Sequence, residues 1–212
     1  GKKNILIFQN ILINKINKED DFIYCETNKI KFISKLLVAA DGKNSFVREN
    51  LKIKKINKKY NHKAIVVNFN HNKDHENTAH ELFFKTGPLA ILPMKKFKKN
   101  VYTSSIIWSN SPAYIDSLKD LKRELLILIL EENIKKYTGS IAGILDVQTF
   151  ELSAHINEKF YDDRVVFLGD SAHSIHPIAG QGWNIGIRDI ESIYSVLKNN
   201  LDLGLDIGCS KV

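Results

Sequence analysis

The segment RVVFLGDSAHSIHPIAGQGWNIGIRDIE, from Arg164 to Glu191, constrains the fold more than any other part of the sequence. An apolar run ends in Gly169-Asp170, and helical periodicity resumes after the turn Gly180-Gln181-Gly182. A buried strand that leads through a glycine-rich turn into a helix is typical of an α/β fold. The Asp170 carboxylate can accept hydrogen bonds from ribitol or ribose hydroxyls, and the helix amides attract negative charge. A Gly-x-Gly at a helix start is by itself more often only a turn.

The remaining chain is rich in strand patterns. Short β-type runs in the first forty residues, NILIFQNILIN, DFIYCET and KIKFI, predict antiparallel hairpins, and KLLVAADG predicts a strand that ends in Asp-Gly. The runs between Ala64 and Trp108 predict an antiparallel sheet. Apolar residues at helical spacing predict one amphipathic helix that begins near Ser117 and ends at Thr138-Gly139.

Composition excludes several classes of function. The net charge of +7 comes largely from scattered lysines, whereas nucleic-acid-binding surfaces usually carry clustered Arg and Lys within a recognisable motif. Cys25 and Cys209 lie far apart, so we expect free thiols in a reducing compartment. The three histidines of HNKDHENTAH have no matching Cys or carboxylate pattern, so no metal site is predicted. No apolar stretch approaches the roughly 18 residues that a membrane-spanning helix needs.

Three motifs together resemble those of a known family. The pattern G-D-x-A-H, Pro, G-Q-G-x-N, R-D resembles the second FAD-binding motif of class A FAD-dependent monooxygenases, the para-hydroxybenzoate hydroxylase superfamily. The segment VAADGKNSFVREN is similar to the D-G-x-x-S-x-x-R motif of the same family. The segment ENTAHELFFKTGPLAILPM, followed by SSIIWS, resembles the sheet of the ubiquinone-biosynthesis hydroxylase branch. The first pattern occupies Gly169, Asp170, Ala172, His173, Pro177, Gly180, Gln181, Gly182, Asn184, Arg188 and Asp189, and the second Asp41, Gly42, Ser45 and Arg48.

The resemblance implies roles for individual residues. Asp170, after Gly169, would bind the ribityl chain of FAD, and Pro177 would lie beside the flavin ring. His176 would lie near the ring or the substrate channel, a structural role is favoured for His173, and no side chain is assigned as a general base. The pyrimidine edge of the flavin would face Gly180, Gln181, Gly182, Trp183 and Asn184. Asp41, Gly42 and Arg48 would position the cofactor, and Pro88, Leu89 and Pro93 would lie on the substrate side.

The resemblance also implies an architecture. We expect a mixed α/β fold: part of a Rossmann-like FAD-binding domain, formed by residues 1–61 and 151–212, and a substrate-binding antiparallel sheet with one helix, formed by residues 62–150. Trp183 replaces a smaller aliphatic residue or Phe, and Ser171 replaces a frequent Ala. The G-x-G-x-x-G turn that opens the family's sequences is not found in this sequence, which suggests a central-to-late portion of a longer enzyme.

The implied reaction is the hydroxylation of a polyprenyl phenol intermediate of ubiquinone biosynthesis. FAD would be the cofactor, NAD(P)H the electron donor, and a flavin C4a-hydroperoxide the oxygen-transferring species. The alternatives are a same-fold reductase or halogenase, and an inactive remnant or interaction partner of a full-length paralogue. The expected location is cytoplasmic, with peripheral binding to the inner face of the membrane or to a ubiquinone-biosynthesis complex as a further expectation. The lysines of MKKFKKN suit an anionic surface, although a solvated turn is favoured.

Overall fold

The computed structural model describes residues 4–98, 101–176 and 180–209, with only the backbone for residues 96–98. The chain divides into two compact units. The motif unit contains both glycine-aspartate motifs and comprises the chain up to Lys58, Ala154–Ile175 and the chain from Gly180 onward. The sheet unit comprises Lys59–Ser153 together with His176.

The motif unit contains two small sheets and one long helix. Its first sheet is antiparallel and has the strand order β1-β2-β3. Its second sheet has the order β10-β11-β4, in which β4 and β11 are parallel, and the long helix α4 spans Gln181–Asp202. The other elements are β1 Ile13–Lys18, β2 Ile23–Thr27, β3 Lys31–Ser34, β4 Leu37–Ala39, α1 Phe46–Asn50, β10 Tyr161–Asp162, β11 Val165–Phe167 and β12 His173–Ser174.

A buried arginine supports the loops of the motif unit. The Arg164 guanidinium donates to the carbonyl oxygens of Asp20 and Lys35 and forms an ion pair with Asp206. The hydrogen bond from Arg164 is the main reason that the pKa of Asp206 falls to about 2. Arg164 is 3% exposed, so this unit places a cation where most domains place apolar side chains.

The sheet unit is built on long antiparallel strands in the order β9-β5-β8-β7-β6. Alternate residues of β5 and β8, such as Val67 and Ile106, pair in register and are fully buried. They form one core with Leu126, Leu130 and Ile134 from a helix of this unit. The bounds are β5 Lys55–His71, β6 His80–Phe84, β7 Gly87–Lys98, β8 Val101–Asn110 and β9 Ile141–Asn157. The residues of β5 up to Lys58 and those of β9 from Ala154 onward belong to the motif unit.

The predicted single helix is wrong, because the sheet unit has two: α2 Pro112–Lys119 and α3 Arg123–Thr138. The Ser111 hydroxyl accepts from the Tyr114 amide, and Pro112 occupies the first turn, where its missing N–H is harmless. Ser117 is therefore inside α2 instead of at a helix start, and its hydroxyl donates to the Tyr114 carbonyl. The predicted end is confirmed: Gly139 follows Thr138 with φ of 69°, a left-handed conformation that glycine adopts readily.

The mixed α/β fold class is confirmed, as are the hairpins of the first forty residues and helix α4. The strand predicted over NILIFQNILIN begins only at Ile13, and the preceding apolar residues, such as Leu6 and Ile7, are exposed. Among the described residues, no helix is both long and apolar enough to cross a membrane.

Candidate functional site

The Gly-Asp motif forms a tight turn directly after β11. Residues Gly169–Ser171 form one 3₁₀ turn, and Gly169 has φ of 56°, which disfavours any side chain. The carboxylate of Asp170 is exposed at this turn. Below it, the buried Ser171 hydroxyl donates to the carbonyl of Ala39 at 2.6 Å and fixes the turn to the end of β4. Ser171, a departure from the family pattern, therefore contributes a bond that Ala could not make.

Helix α4 begins at the Gly-Gln-Gly segment. Gly180 precedes the helix with φ of 64°. Among the described residues, no atom beyond the adjoining backbone lies within 4 Å of a Cβ built on Gly180 or Gly182, so this part of the structure leaves room for a ligand in front of them. The Asn184 side-chain amide donates to the Gln181 side chain at 3.3 Å within the first turn, and Trp183 is 77% exposed. These exposed amides and side chains are suited to contact a polar ring edge.

Asp189, two turns into α4, joins the helix to the Gly-Asp turn. One oxygen of its carboxylate, Oδ2, accepts from the Gly169 amide at 2.8 Å and from His173 Nε2 at 2.9 Å. The imidazole of His173 also makes an edge contact with the ring of Phe160. The hydrogen bond expected of a structural His173 is therefore present, and the role itself stays a prediction.

The Asp-Gly motif makes the capping bonds of helix α1. The Asp41 carboxylate accepts from the Val47 amide at 3.1 Å, and the Ser45 hydroxyl accepts from the Arg48 amide at the same distance. Both are capping bonds that satisfy amides of the first helical turn. Gly42, with φ of 81°, provides the turn between the strand and this helix.

Arg48 links the two motifs through the protein interior. Its side chain is 1% exposed, and its guanidinium donates to the carbonyl of Lys43 at 2.7 Å and to that of Ser171 at 3.1 Å. A buried guanidinium with these partners acts through the backbone that it holds. Arg48 therefore positions the Gly-Asp turn from below, and any effect on a cofactor is indirect.

Two buried polar residues of β9 were missed by the sequence interpretation. Asn157 donates to the Ser171 carbonyl at 3.0 Å, and His155 Nδ1 lies 2.9 Å from the Ser174 hydroxyl. Burial, and then the nearby charges of Arg48, Lys55 and Lys43, lowers the pKa of His155. Two of their atoms, His155 Nε2 and Asn157 Oδ1, are buried without a hydrogen-bond partner in the described structure. The alternating polar residues of ELSAHIN could have predicted that one face of this strand is polar.

The candidates in the sheet unit do not share one surface. Leu89 is fully buried opposite Trp108 in the core, so it packs the unit and does not line a substrate surface here. Pro88 is partly exposed on the opposite face of β7, and Pro93 lies on the same side as Leu89 by strand alternation. The structure thus separates the three predicted substrate residues.

His176 is half-buried in the sheet unit, where its ring makes an edge contact with Tyr60 at 4.9 Å. Burial, and then the charge of His62, lowers the pKa of His176. Its Nδ1 atom has no hydrogen-bond partner within the described residues. Pro177 lies outside the described residues.

An apolar groove of about 410 Å³ also runs along α4 in the motif unit. Its walls include Phe160, Val166, Ile193 and Leu197. These side chains offer little to a polar cofactor. The exposed carboxylate of Asp170 and the open glycines at the start of α4 fit a flavin cofactor better.

The sequence of this chain is similar to a family model and to several known proteins. The family model described as "FAD binding domain" matches residues 19–202. Ubiquinone hydroxylase UbiL of Rhodospirillum rubrum is 33% identical over 175 residues, which cover 82% of this chain and 40% of that protein. The 3-demethoxyubiquinol 3-hydroxylase of Escherichia coli is 28% identical over 190 residues, which cover 89% of this chain and 47% of that protein.

A solved structure shows a similar fold. The structure of pqsL, a probable FAD-dependent monooxygenase from Pseudomonas aeruginosa, aligns with a TM-score of 0.72 at 20% identity. The alignment covers 93% of this chain and 56% of that protein. The chain thus spans less than half the length of the two hydroxylases and somewhat more than half of the pqsL chain.

Proposed function

The chain belongs to the FAD binding domain family, and we propose on that basis that it supplies the ribityl- and ring-binding part of an FAD-dependent monooxygenase. One observation carries the proposal. The exposed carboxylate of Asp170 and the open glycine-led start of α4 belong to the same unit and are joined by Asp189. A carboxylate and the N-terminal amides of a helix in the same unit suit a ligand that has both hydroxyl groups and an electron-accepting ring.

The roles of the residues follow from their chemistry. Asp170 would accept hydrogen bonds from the ribityl hydroxyls. The first turn of α4, from Gln181 to Asn184, would donate to the pyrimidine edge of the ring, and its positive dipole end would stabilise negative charge there. FAD, when bound, supplies the redox chemistry by which NAD(P)H and molecular oxygen hydroxylate an aromatic ring.

The proposed substrate is a polyprenyl phenol of ubiquinone biosynthesis. Two named ubiquinone-pathway hydroxylases match most of this chain, which supports that substrate class. In the sheet unit, the face of β7 that points away from the core carries the partly exposed Pro88, Ala90 and Leu92. These apolar residues suit the ring of a phenol and help to exclude water from it.

The proposal extends to where the protein works. A substrate with a polyprenyl tail resides in a membrane, so we propose peripheral binding at its inner face or within a ubiquinone-biosynthesis complex. Scattered lysines and a net charge of +7 favour contact with an anionic lipid surface. Sedimentation with anionic and neutral vesicles tests this part separately: binding to neither type contradicts peripheral membrane binding.

Titration of the purified chain with FAD tests the cofactor assignment. We expect saturable quenching of flavin fluorescence and a shifted visible spectrum. Asp170→Ala should weaken binding at least about tenfold, because a charged hydrogen-bond acceptor is lost. Asp202→Ala, which removes an exposed carboxylate near the end of α4, is the matched control and should change affinity less than about twofold.

The same titration separates the proposal from its alternatives. Absence of FAD binding by the unaltered chain contradicts the proposal and favours a remnant or an interaction partner. Turnover distinguishes a hydroxylase from a reductase: NAD(P)H oxidation that is stimulated by a polyprenyl phenol, with oxygen in the product, supports hydroxylation. Oxidation without oxygen incorporation contradicts it.

A further inference from the structure

We propose that Asp189 is a positioning residue. It would hold the Asp170 carboxylate and the start of α4 in a fixed relative position, so that both can bind the same ligand. This inference rests on the proposed FAD site and deepens it. Asp189 would contact no ligand atom itself. Its effect would pass through Gly169, the residue that immediately precedes Asp170.

The geometry of the contact carries the inference. Asp189 Oδ2 is the common acceptor for the Gly169 amide and for His173 Nε2, residues on either side of Asp170. The side chains of Asp189 and His173 are only 22% and 14% exposed, so water competes weakly for these bonds. Because the carboxylate can only accept, Nε2 must carry a proton, which fixes the orientation of the imidazole ring.

The backbones of the turn and the helix also approach closely. A Cβ atom built on Gly186, one turn before Asp189, would lie 3.8 Å from the Cα of Gly169. The helix therefore packs on the turn at about van der Waals distance. The hydrogen bonds of Asp189 fix the orientation of the helix relative to the turn.

The bonds of Asp189 preorganise the site. Gly169 has a left-handed φ and no side chain of its own to limit its conformation. Without Asp189, the amide of Gly169 and Nε2 of His173 would lose their common acceptor, and the turn would sample other conformations. Binding would then require the turn and the helix to be ordered together, which lowers affinity without removing any ligand contact.

A double-mutant cycle on FAD affinity tests the role. Asp189→Ala should weaken binding about tenfold. If Asp189 acts through Asp170, adding Asp189→Ala to Asp170→Ala should weaken binding by less than about threefold more. Asp189→Asn keeps an oxygen acceptor and should restore affinity to within about threefold of the unaltered chain. Glu191→Ala, on the exposed face of α4, is the control and should have no effect.

The inference would be overturned if the two substitutions lowered the binding free energy additively in the double variant. Additivity is the result expected if Asp189→Ala only destabilises the fold while Asp170→Ala removes a ligand contact. Failure of Asp189→Asn to rescue binding, when the variant is folded by circular dichroism, would overturn it as well. If Asp170→Ala alone leaves FAD affinity unchanged, the proposed ribityl contact fails instead, which is a distinguishable result.

Amide hydrogen exchange gives a readout that needs no cofactor. Asp189→Ala should accelerate exchange at Gly169 and Asp170 at least about tenfold, because the Gly169 amide loses its acceptor. The amides of β11, which are held by strand pairing, should be unchanged. Unaltered exchange at Gly169 would overturn the inference even if the chain binds no FAD.

Discussion

The two units of this protein are stabilised in different ways. Among the described residues, the core of the sheet unit contains fourteen buried apolar side chains, and that of the motif unit contains eight. The motif unit instead buries the guanidinium groups of Arg48 and Arg164, which donate to carbonyl oxygens of its loops. The motif unit, which has the smaller apolar core, therefore depends more on polar bonds with fixed geometry.

Helix α4 shows the same contrast at the surface. The apolar residues Trp183, Ile187, Ile190, Tyr194 and Leu201 recur at heptad spacing and are between 46% and 77% exposed. In the sheet unit, by comparison, α3 directs Leu126, Leu130 and Ile134 into the core. Both predicted cofactor motifs lie in the unit with the smaller core, so the proposed ligand contacts would depend on hydrogen-bonded turns.

The largest expected effect is a cavity in the core of the sheet unit. Leu130→Ala removes a fully buried side chain and should lower the free energy of unfolding by about 3–4 kcal/mol. Leu128→Ala, on the same helix but 59% exposed, should lower it by less than about 1 kcal/mol. Fluorescence of the buried Trp108 in a Trp183→Phe background reports unfolding of this unit. Equal effects of the two substitutions would contradict the assigned core.

The next effect is the loss of the buried cation in the motif unit. Arg164→Met should lower the free energy of unfolding by about 3 kcal/mol, because two carbonyls and Asp206 lose their donor. Arg188→Met, at an exposed position of α4, is the control and should change it by less than about 0.5 kcal/mol. Denaturant-dependent amide hydrogen exchange of β11, whose amides are held by strand pairing, reports unfolding of this unit. A neutral result for Arg164→Met would refute its supporting role.

A smaller effect should appear on acidification. His71 is 1% exposed, donates from Nδ1 to the Thr138 carbonyl and contacts the Ser104 hydroxyl, and its burial lowers its pKa. The unfolded chain binds a proton near the ordinary value of about 6.5, so stability is full above that pH and decreases below it. One such group contributes at most about 1.4 kcal/mol per pH unit.

Denaturation of the sheet unit between pH 7.5 and pH 5, followed through Trp108, measures this dependence. His71→Gln should reduce the slope of stability against pH, whatever its effect on stability at neutral pH. An unchanged slope would show that His71 is not the group responsible.

The smallest effect is expected on the exposed stripe of α4. Ile187→Gln and Ile190→Gln should each change the free energy of unfolding by less than about 0.5 kcal/mol, because about half of each residue is already exposed to water. The same substitutions should reduce concentration-dependent light scattering, since exposed apolar patches promote association. A large loss of stability would mean that the stripe is packed, contrary to the described structure.

Periodicity and turn residues were sufficient to predict much of the fold. The strand before Gly169, the helix after Gly180 and the helix end at Gly139 all follow from local sequence. The division between α2 and α3 could not be predicted from apolar spacing, because that spacing continues across the break at residues 120–122. The local signal for the start of α2 was the Ser111-Pro112 pair, a capping residue followed by proline.

The supporting bonds of the site could not be predicted, because they join residues that are distant in sequence. Arg48 reaches a carbonyl 123 residues away, and Asp189 reaches an amide 20 residues away. The burial of Arg48 was also unexpected, since a lone arginine after a turn usually lies at the surface. Local patterns identify which residues a site contains, whereas tertiary packing decides which of them face a ligand.

Hydrogen exchange of the intact chain, with and without saturating FAD, tests the central claim most directly. We predict that FAD slows exchange in Leu168–Ala172 and in the first turns of α4, because Asp170 and the helix amides would bind the cofactor under the proposal. Helices α2 and α3 should exchange at the same rate in both conditions. Unchanged exchange around Asp170, or protection confined to α2 and α3, would contradict the assignment of the cofactor site to the motif unit.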